Sequence, residues 1–141
     1  MQYVLLLTNA PDAWEDPTAD VVDSADSGDG VFDDWAAYTR ALHEAGVLVG
    51  GAALHGIDTA TSVQVRGGQR LLTDGPFADT KEHLIGFYII DVPDLDPALS
   101  WAAKVPNVRT GTVEVRPLVP GSSTSEVLAA TLAGQGGDSP R

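Results

Sequence analysis

The order of strand-like and helix-like patterns constrains the fold of this chain more than any other feature. Six runs are typical of β-strands, and two segments carry apolar side chains at helical spacing. The runs follow one another as strand, helix, strand, a two-strand hairpin, strand, helix and strand. This order predicts an α+β fold of the ferredoxin-like βαββαβ plan with an extra β-hairpin. The predicted strands are 3–7, 47–55, 61–66, 69–73, 86–92 and 112–118, and the predicted helices are 33–45 and 96–106.

Turn and capping residues set several of these boundaries. Asp33 or Asp34 is expected to cap the first helix, and Gly46 is expected to end it. Residues 67–68 are a Gly-Gly pair, which is typical of a two-residue hairpin turn. Asp and Pro at 96–97 predict an N-cap followed by the first residue of the second helix.

The length of 141 residues suits one domain. We assign this domain to residues 1–119, with an acidic loop or insertion at 14–30. Residues 120–141 are rich in Gly, Ser and Thr, and we expect a largely disordered C-terminal tail.

Net charge and cysteine content narrow the classes of partner. The net charge of −12 repels phosphate backbones and anionic membranes, so we expect neither nucleic-acid nor membrane binding. The chain has no cysteine, which excludes disulfides and thiolate chemistry and fits a reducing compartment. The apolar run at 3–7 is too short for a signal peptide. A cytoplasmic location is therefore expected.

Two helices cover only one face of the predicted sheet. The opposite face also needs cover, and a second copy packing sheet against sheet would supply it. The sequence therefore predicts a homodimer.

Four ordered segments resemble the YCII-related proteins of the DGPF type. They are TDGPFADTKEHLIGFYIIDV at 73–92, GVLVGGAAL at 46–54, the Asp-Leu-Asp-x-Ala-Leu-x-Trp-Ala-Ala pattern at 94–103, and GTVEVRPL at 111–118. The resemblance implies a dimeric α+β barrel with a pocket between sheet and helices. It also implies that most relatives have no established reaction. The catalytic His of the YciI-like branch lies in the first helix, and His43 does not match its context.

The connection that follows the predicted hairpin carries most of the candidate chemistry. It spans about twelve residues between strand-like runs, more than a plain hairpin loop needs. Asp74 stands at its start, before Gly75, and is the candidate general base or ligand anchor. The alternative is a carboxylate that only stabilises its own turn. We expect Phe77 to plug the core or to line the pocket.

Two histidines are candidate partners of Asp74 in proton transfer. His83 stands between Glu82 and an apolar pair, and His55 ends the second strand. Either histidine could instead lie at the surface. We expect no metal site, because the histidines do not have the sequence spacing typical of metal ligands. The alternative is a metal site formed by His55, His83 and a carboxylate. We expect no cofactor.

Three function hypotheses remain open from the sequence. The first is an enzyme that performs acid–base chemistry on a small molecule, with Asp74, His83 and His55 as catalytic residues. Trp35, Tyr38 and Phe77 would then form the apolar walls of its pocket. The second is a non-catalytic ligand-binding or regulatory module, and the third is a purely structural dimer.

Overall fold

A computed structural model describes residues 1–10, 31–75 and 81–136. Within these ranges it does not describe the side chains of residues 31–33 and 135–136. The expected acidic loop at 14–30 and Phe77 lie outside the described residues.

The described chain contains six strands and three α-helices, in the order expected from the sequence with one helix added. The strands are β1 (Gln2–Asn9), β2 (Leu48–Ala53), β3 (Thr61–Arg66), β4 (Gln69–Asp74), β5 (His83–Asp91) and β6 (Thr112–Pro117). The helices are α1 (Val31–Glu44), α2 (Leu95–Ala102) and α3 (Thr124–Gly136), and short 3₁₀ turns lie at Ile57–Thr59 and Pro106–Arg109.

Four strands form one antiparallel sheet in the order β2-β5-β1-β6. This order is the one that a split βαβ plan requires, because each helix connects two strands that are not neighbours. β3 and β4 form a separate two-stranded sheet. The α+β architecture predicted from the sequence is confirmed.

The core lies between one face of the four-stranded sheet and the helices. Side chains along β1 alternate between buried and half-buried, as a strand with one covered face requires. Leu5 and Ile90 from the sheet and Leu42 from α1 are fully buried, and Ala98 of α2 packs into the same cluster. The half-buried alternate residues of β1 face the other side of the sheet.

Helix α1 ends as Gly46 predicts. Gly46 has a φ of 72°, its amide donates to the carbonyl of His43, and the Val47 amide donates to that of Leu42. These two bonds form a Schellman motif. The predicted cap at Asp33 or Asp34 is corrected, since α1 begins at Val31 and both residues therefore lie inside it.

Helix α2 begins two residues earlier than predicted. Asp94 is the N-cap residue, and Asp96 lies in the first turn. A carboxylate there interacts favourably with the positive end of the helix dipole. The Asp-Leu-Asp sequence contains two candidate N-cap residues, Asp94 and Asp96, and the helix begins after the first of them.

The C-terminal segment differs from the disordered tail expected from its composition. Residues 124–136 form α3. A reciprocal cap explains the start, because the Ser123 hydroxyl and the Glu126 carboxylate each accept a bond from the other residue. The described side chains of α3 are nevertheless exposed, Leu128 and Leu132 among them. This helix is therefore held by local interactions rather than by packing on the sheet.

Candidate functional site

One end of the central sheet gathers polar side chains from three strands. β1 ends there at Asn9, β5 starts there at His83, and β6 starts there at Thr112. β1 pairs with both neighbours, so the register sets His83 opposite Asn9, and it sets Thr112 opposite Thr8 on the other face of the sheet. The connection that carries the DGPF sequence therefore delivers its last residues to the middle of the sheet.

His83 lies directly opposite Asn9 in the antiparallel pairing. Paired residues project to the same face, and Asn9 is only 2 % exposed on the helix-covered face. The half-buried His83 side chain therefore belongs to the face where sheet and helices meet. The sequence predicted this inward position as one of two alternatives for His83.

A second buried amide, Asn107, contacts Asn9. The Asn107 Nδ2 donates to the Asn9 Oδ1 at 2.9 Å and to the carbonyl oxygen of Thr8 at 3.2 Å. Since a carbonyl can only accept, these bonds orient the Asn107 amide. Its Oδ1 is buried and has no hydrogen-bond partner among the described residues. Buried acceptors usually have a partner, so this oxygen has an acceptor capacity that no described residue uses.

Glu82 fastens the DGPF connection to the sheet beside His83. The Thr8 hydroxyl donates to its Oε2 at 3.2 Å, and the Thr112 hydroxyl donates to its Oε1 at 3.3 Å. Bonds to a charged acceptor are stronger than neutral ones. Two strands therefore hold this carboxylate, and its backbone is tied in place immediately before His83.

Gly111 lets the backbone approach these amides closely. A side chain there would meet the Asn9 Oδ1 and the Thr8 carbonyl oxygen. The amide of Gly111 also donates to the carbonyl of Asn107 at 2.7 Å. The site is therefore built from backbone contacts that tolerate no Cβ at this position.

The structure places Asp74 at the last position of β4, paired with Thr61. Gly75 has a φ of 95°, and its amide donates to the carbonyl of Ala60 at 2.7 Å. The carboxylate of Asp74 is exposed, and Asp74 and His83 share no hydrogen bond in the described part of the chain. One chain alone therefore does not give Asp74 the sheltered position expected of a general base.

The DGPF connection is shorter than the sequence pattern suggested. β4 extends to Asp74 and β5 begins at His83, so the connection comprises residues 75–82. Pairing with β1 extends β5 to His83, which the sequence pattern had assigned to the connection.

His55 lies just beyond β2 at the same end of the sheet as His83. The neighbouring Leu54 amide donates to the carbonyl of Ile85 at 2.9 Å, which continues the β2–β5 pairing toward His83. The side chain of His55 is exposed. His43 is also exposed, in the last turn of α1.

Trp35 and Tyr38 belong to the layer between α1 and the sheet. Trp35 is half-buried against the core. Tyr38 is buried, and its hydroxyl donates to the carbonyl of Trp101 at 2.9 Å. Its ring packs edge-to-face with the ring of Tyr88, with 5.3 Å between the two ring centroids. Burial, and to a lesser extent Tyr88, raises the pKa of the Tyr38 phenol far above its usual value. The structure thus gives Tyr38 a packing role, where the sequence predicted a pocket wall.

A surface cavity of about 360 Å³ lies at the opposite end of the sheet. Its lining includes Met1, Asp91, Val119 and Glu126. None of the described residues predicted for the site lines it.

Metal ligation and membrane insertion also bear on the class of site. Across 1–10, 31–75 and 81–136, no cluster of three or more His, Asp or Glu side chains could hold a metal ion. No helix in the described part of the chain is both long and apolar enough to cross a membrane. The cytoplasmic location stays a prediction.

Sequence reasoning missed three residues of the sheet-end cluster. Thr8 and Asn9 reach this end of the sheet through the register of β1, with Asn9 opposite His83, and Asn107 joins them from a 3₁₀ turn by bonds to the Thr8 carbonyl and the Asn9 side chain. One local signal existed for two of them, since a Thr-Asn pair ending an apolar strand places polar groups at a sheet end.

The fold and this site define a small α+β protein with a polar cluster at one end of an antiparallel sheet. The sequence model of the YCII-related domain matches residues 1–122. The chain belongs to the YCII-related family.

Two individual proteins are similar to the chain. An uncharacterised protein of Rhizobium meliloti, R00369, is 41 % identical over 97 residues, which cover 67 % of this chain and 78 % of that protein. A solved structure of 5-chloro-2-hydroxyhydroquinone dehydrochlorinase from Burkholderia phenoliruptrix, in complex with 2,5-dihydroxybenzoquinone, aligns with a TM-score of 0.45. It is 12 % identical, and the match covers 84 % of this chain and 94 % of that one.

Proposed function

We propose that this YCII-related chain is an enzyme that performs acid–base chemistry on a small organic molecule. The reaction would be an elimination, an isomerisation or a hydrolysis. The substrate would enter between sheet and helices at the end where His83 lies. The observation that carries the proposal is the position of half-buried His83 opposite buried Asn9, which bonds to Asn107, an amide whose Oδ1 no described residue uses.

His83 is the proposed proton-transfer residue. Imidazole titrates near neutral pH and can both accept and release a proton. Glu82 is a positioning residue, because its two threonine contacts fix the chain next to His83. His55, just beyond β2 at this end of the sheet, and Asp74, at the end of β4, stay proposed catalytic groups.

Asn107 is the proposed binding group for a polar substrate atom. Its Oδ1 can accept a hydrogen bond from a hydroxyl or N–H group while its Nδ2 stays bonded to Thr8 and Asn9. Trp35 would form an apolar wall for the rest of the substrate, and Phe77 and Tyr38 were predicted to share that role.

The proposed active form is a homodimer of the DGPF type that forms an α+β barrel. The sheet face opposite the helices carries Val4 and Leu6 of β1 and Phe87 and Ile89 of β5, all only half-buried. A second sheet packed on this face would bury these side chains.

The test begins with a metabolite library, with binding followed by thermal shift and product formation followed by mass spectrometry. For a compound that is turned over, His83→Gln is expected to reduce kcat by about 10²-fold or more. His43→Gln is the matched control, because His43 is exposed on α1, and it should keep full activity. Unchanged kcat in a folded His83→Gln variant would contradict the acid–base role.

The second candidate is ligand binding without chemistry. The exposed position of Asp74 favours it, because one chain does not shelter the carboxylate that was expected to act as general base. Under this alternative a library compound would stabilise the protein and be recovered unchanged. Asn107→Ala would then weaken binding, and no product would form with any variant.

A further inference from the structure

Strand β5 contains one extra residue where it passes the polar end of the sheet. Leu7 of β1 pairs with Gly86, but the next residue, Thr8, pairs with Leu84. Ile85 is therefore the extra residue of a β-bulge. Its side chain is buried in the core, and its carbonyl accepts a bond from the residue that follows β2 at 2.9 Å. The bulge is thus a packed and hydrogen-bonded part of the strand.

The bulge determines which face of the sheet His83 occupies. Successive side chains on a strand point to opposite faces, so an offset of one residue exchanges the two faces. With the bulge, His83 lies opposite Asn9, which is buried on the helix-covered face. Without the bulge, Leu84 would lie opposite Asn9, and His83 would point to the other face of the sheet. The position of the proposed proton-transfer residue therefore depends on this register shift.

The side chain of Glu82 lies on the face of the sheet opposite to His83. Thr8 points to that face because it stands between two buried residues of β1, and Thr112 is paired with it. Their hydroxyls donate to the two oxygens of the Glu82 carboxylate at 3.2 and 3.3 Å. Since β1 lies between β5 and β6, the carboxylate reaches across β1 and connects the start of β5 to both other strands.

These two bonds are compatible with only one of the two registers. In the register without the bulge, Glu82 would point to the helix-covered face, and its carboxylate would lose both hydroxyl donors. Hydrogen bonds to a charged acceptor are stronger than neutral ones, and a carboxylate buried without partners is costly. The contacts of Glu82 therefore stabilise the bulged register relative to the alternative.

We propose that Glu82, held by Thr8 and Thr112, fixes the β5 bulge in the register that turns His83 toward the helices. Thr112 is then a positioning residue of the site, although it lies on another strand and on the opposite face of the sheet. This inference deepens the proposed function and rests on it for the chemical role of His83. The register itself is a property of the free protein and is tested without a substrate.

The first test compares strand pairing in wild type and Glu82→Ala by nuclear Overhauser effects in isotope-labelled protein. Wild type should show contacts between protons of Asn9 and His83. Glu82→Ala should lose at least about half of their intensity and gain contacts between Asn9 and Leu84, because the alternative register becomes populated. Glu114→Ala is the matched control, since Glu114 is an exposed carboxylate on the same sheet face, and it should leave the pairing unchanged.

Two outcomes of this comparison would overturn the proposal. One is unchanged contacts between Asn9 and His83 in a folded Glu82→Ala variant. The other is a loss of these contacts without new ones to Leu84, which would indicate fraying of the strand end rather than a second register.

The second test uses Thr112, which is exposed, so its substitution leaves the core intact. Thr112→Val removes the hydroxyl and keeps the branched shape, and it should speed amide exchange at residues 83–85 by about tenfold or more. Thr112→Ser keeps the hydroxyl and should restore the wild-type rate. Wild-type exchange in Thr112→Val would contradict the proposal, and so would exchange in Thr112→Ser as fast as in Thr112→Val.

The failures of the two proposals are distinguishable. If Glu82→Ala changes the pairing while His83→Gln keeps full kcat, the register proposal stands and the acid–base role fails. If the pairing is unchanged in Glu82→Ala while His83→Gln abolishes turnover, the register proposal fails and the proposed chemistry stands.

Discussion

The central sheet and the β3–β4 hairpin are built from the same kinds of residue but differ in what covers them. Leu5 of β1 is fully buried between sheet and helices, whereas Leu72 of β4 is 59 % exposed. Both are leucines on strands, so side-chain chemistry does not explain the difference. β1 has a strand on each side and helices on one face, while β4 pairs with one strand and packs on no helix within residues 1–10, 31–75 and 81–136. A β-pattern thus predicts a strand but not whether the same chain buries it.

The largest expected effect separates these two leucines. Leu5→Ala should lower the free energy of unfolding by about 2–5 kcal/mol, because it leaves a cavity in the core. Leu72→Ala should change it by less than about 0.5 kcal/mol at protein concentrations where the chain is monomeric. Urea unfolding followed by circular dichroism measures both. A comparable loss in the two variants would mean that the hairpin is part of the core.

A smaller effect is expected at the polar end of the sheet. Asn107→Ala removes the donor to Thr8 and Asn9 and should destabilise the fold by about 1–3 kcal/mol. Asn107→Asp keeps the shape but replaces the donor by an acceptor, so it should not restore stability. Thermal unfolding of both variants tests this. A fully stable Asn107→Ala variant would show that the two bonds contribute nothing.

The pH dependence of stability tests the aromatic layer. In the unfolded chain the Tyr38 phenol ionises near pH 10, whereas in the folded chain burial raises its pKa above that value. The unfolded state therefore loses a proton first, and stability should fall as the pH rises above about 10, by at most about 1.4 kcal/mol per pH unit. Tyr38→Phe should show a shallower fall. The measurement is the midpoint of urea unfolding, determined for wild type and Tyr38→Phe at several alkaline pH values.

A local effect, confined to the hairpin, is expected at its turn. Gly67 and Gly68 have φ angles of 58° and 78°, so Gly67→Ala forces a side chain into the left-handed region at a cost of about 1 kcal/mol. Amide exchange should become faster in β3 and β4 and stay unchanged in β1 and β5. Faster exchange across the whole protein would contradict the separation of the two regions.

Local patterns predicted the elements of the fold well. The hairpin formed at Gly67–Gly68 as predicted, and Gly46 ended α1, because each signal depends on backbone conformation within a few residues. Strand ends were less predictable. β5 begins at His83 rather than at Gly86, since pairing with Asn9 extends it. The α3 helix was missed even though Ser123 and Glu126 carry a capping pattern, because the Gly- and Ser-rich composition favoured disorder.

The candidate site was predicted only in part. His83 was singled out from its chemistry and its sequence neighbours, and the structure places it at the polar sheet end. Asn107 could not be found in this way, because it reaches Asn9 from a 3₁₀ turn far along the chain. Asp74 was chosen for its turn context, but that context says nothing about what covers the carboxylate.

The central position of β1 in the sheet has a consequence for how the protein folds during its synthesis. This strand leaves the ribosome before the other five described strands, yet its partners come late, since Tyr3 pairs with Ile90 on one side and Pro117 on the other. An apolar strand must therefore wait unpaired until most of the domain has been translated, which favours slow folding and early contact with chaperones.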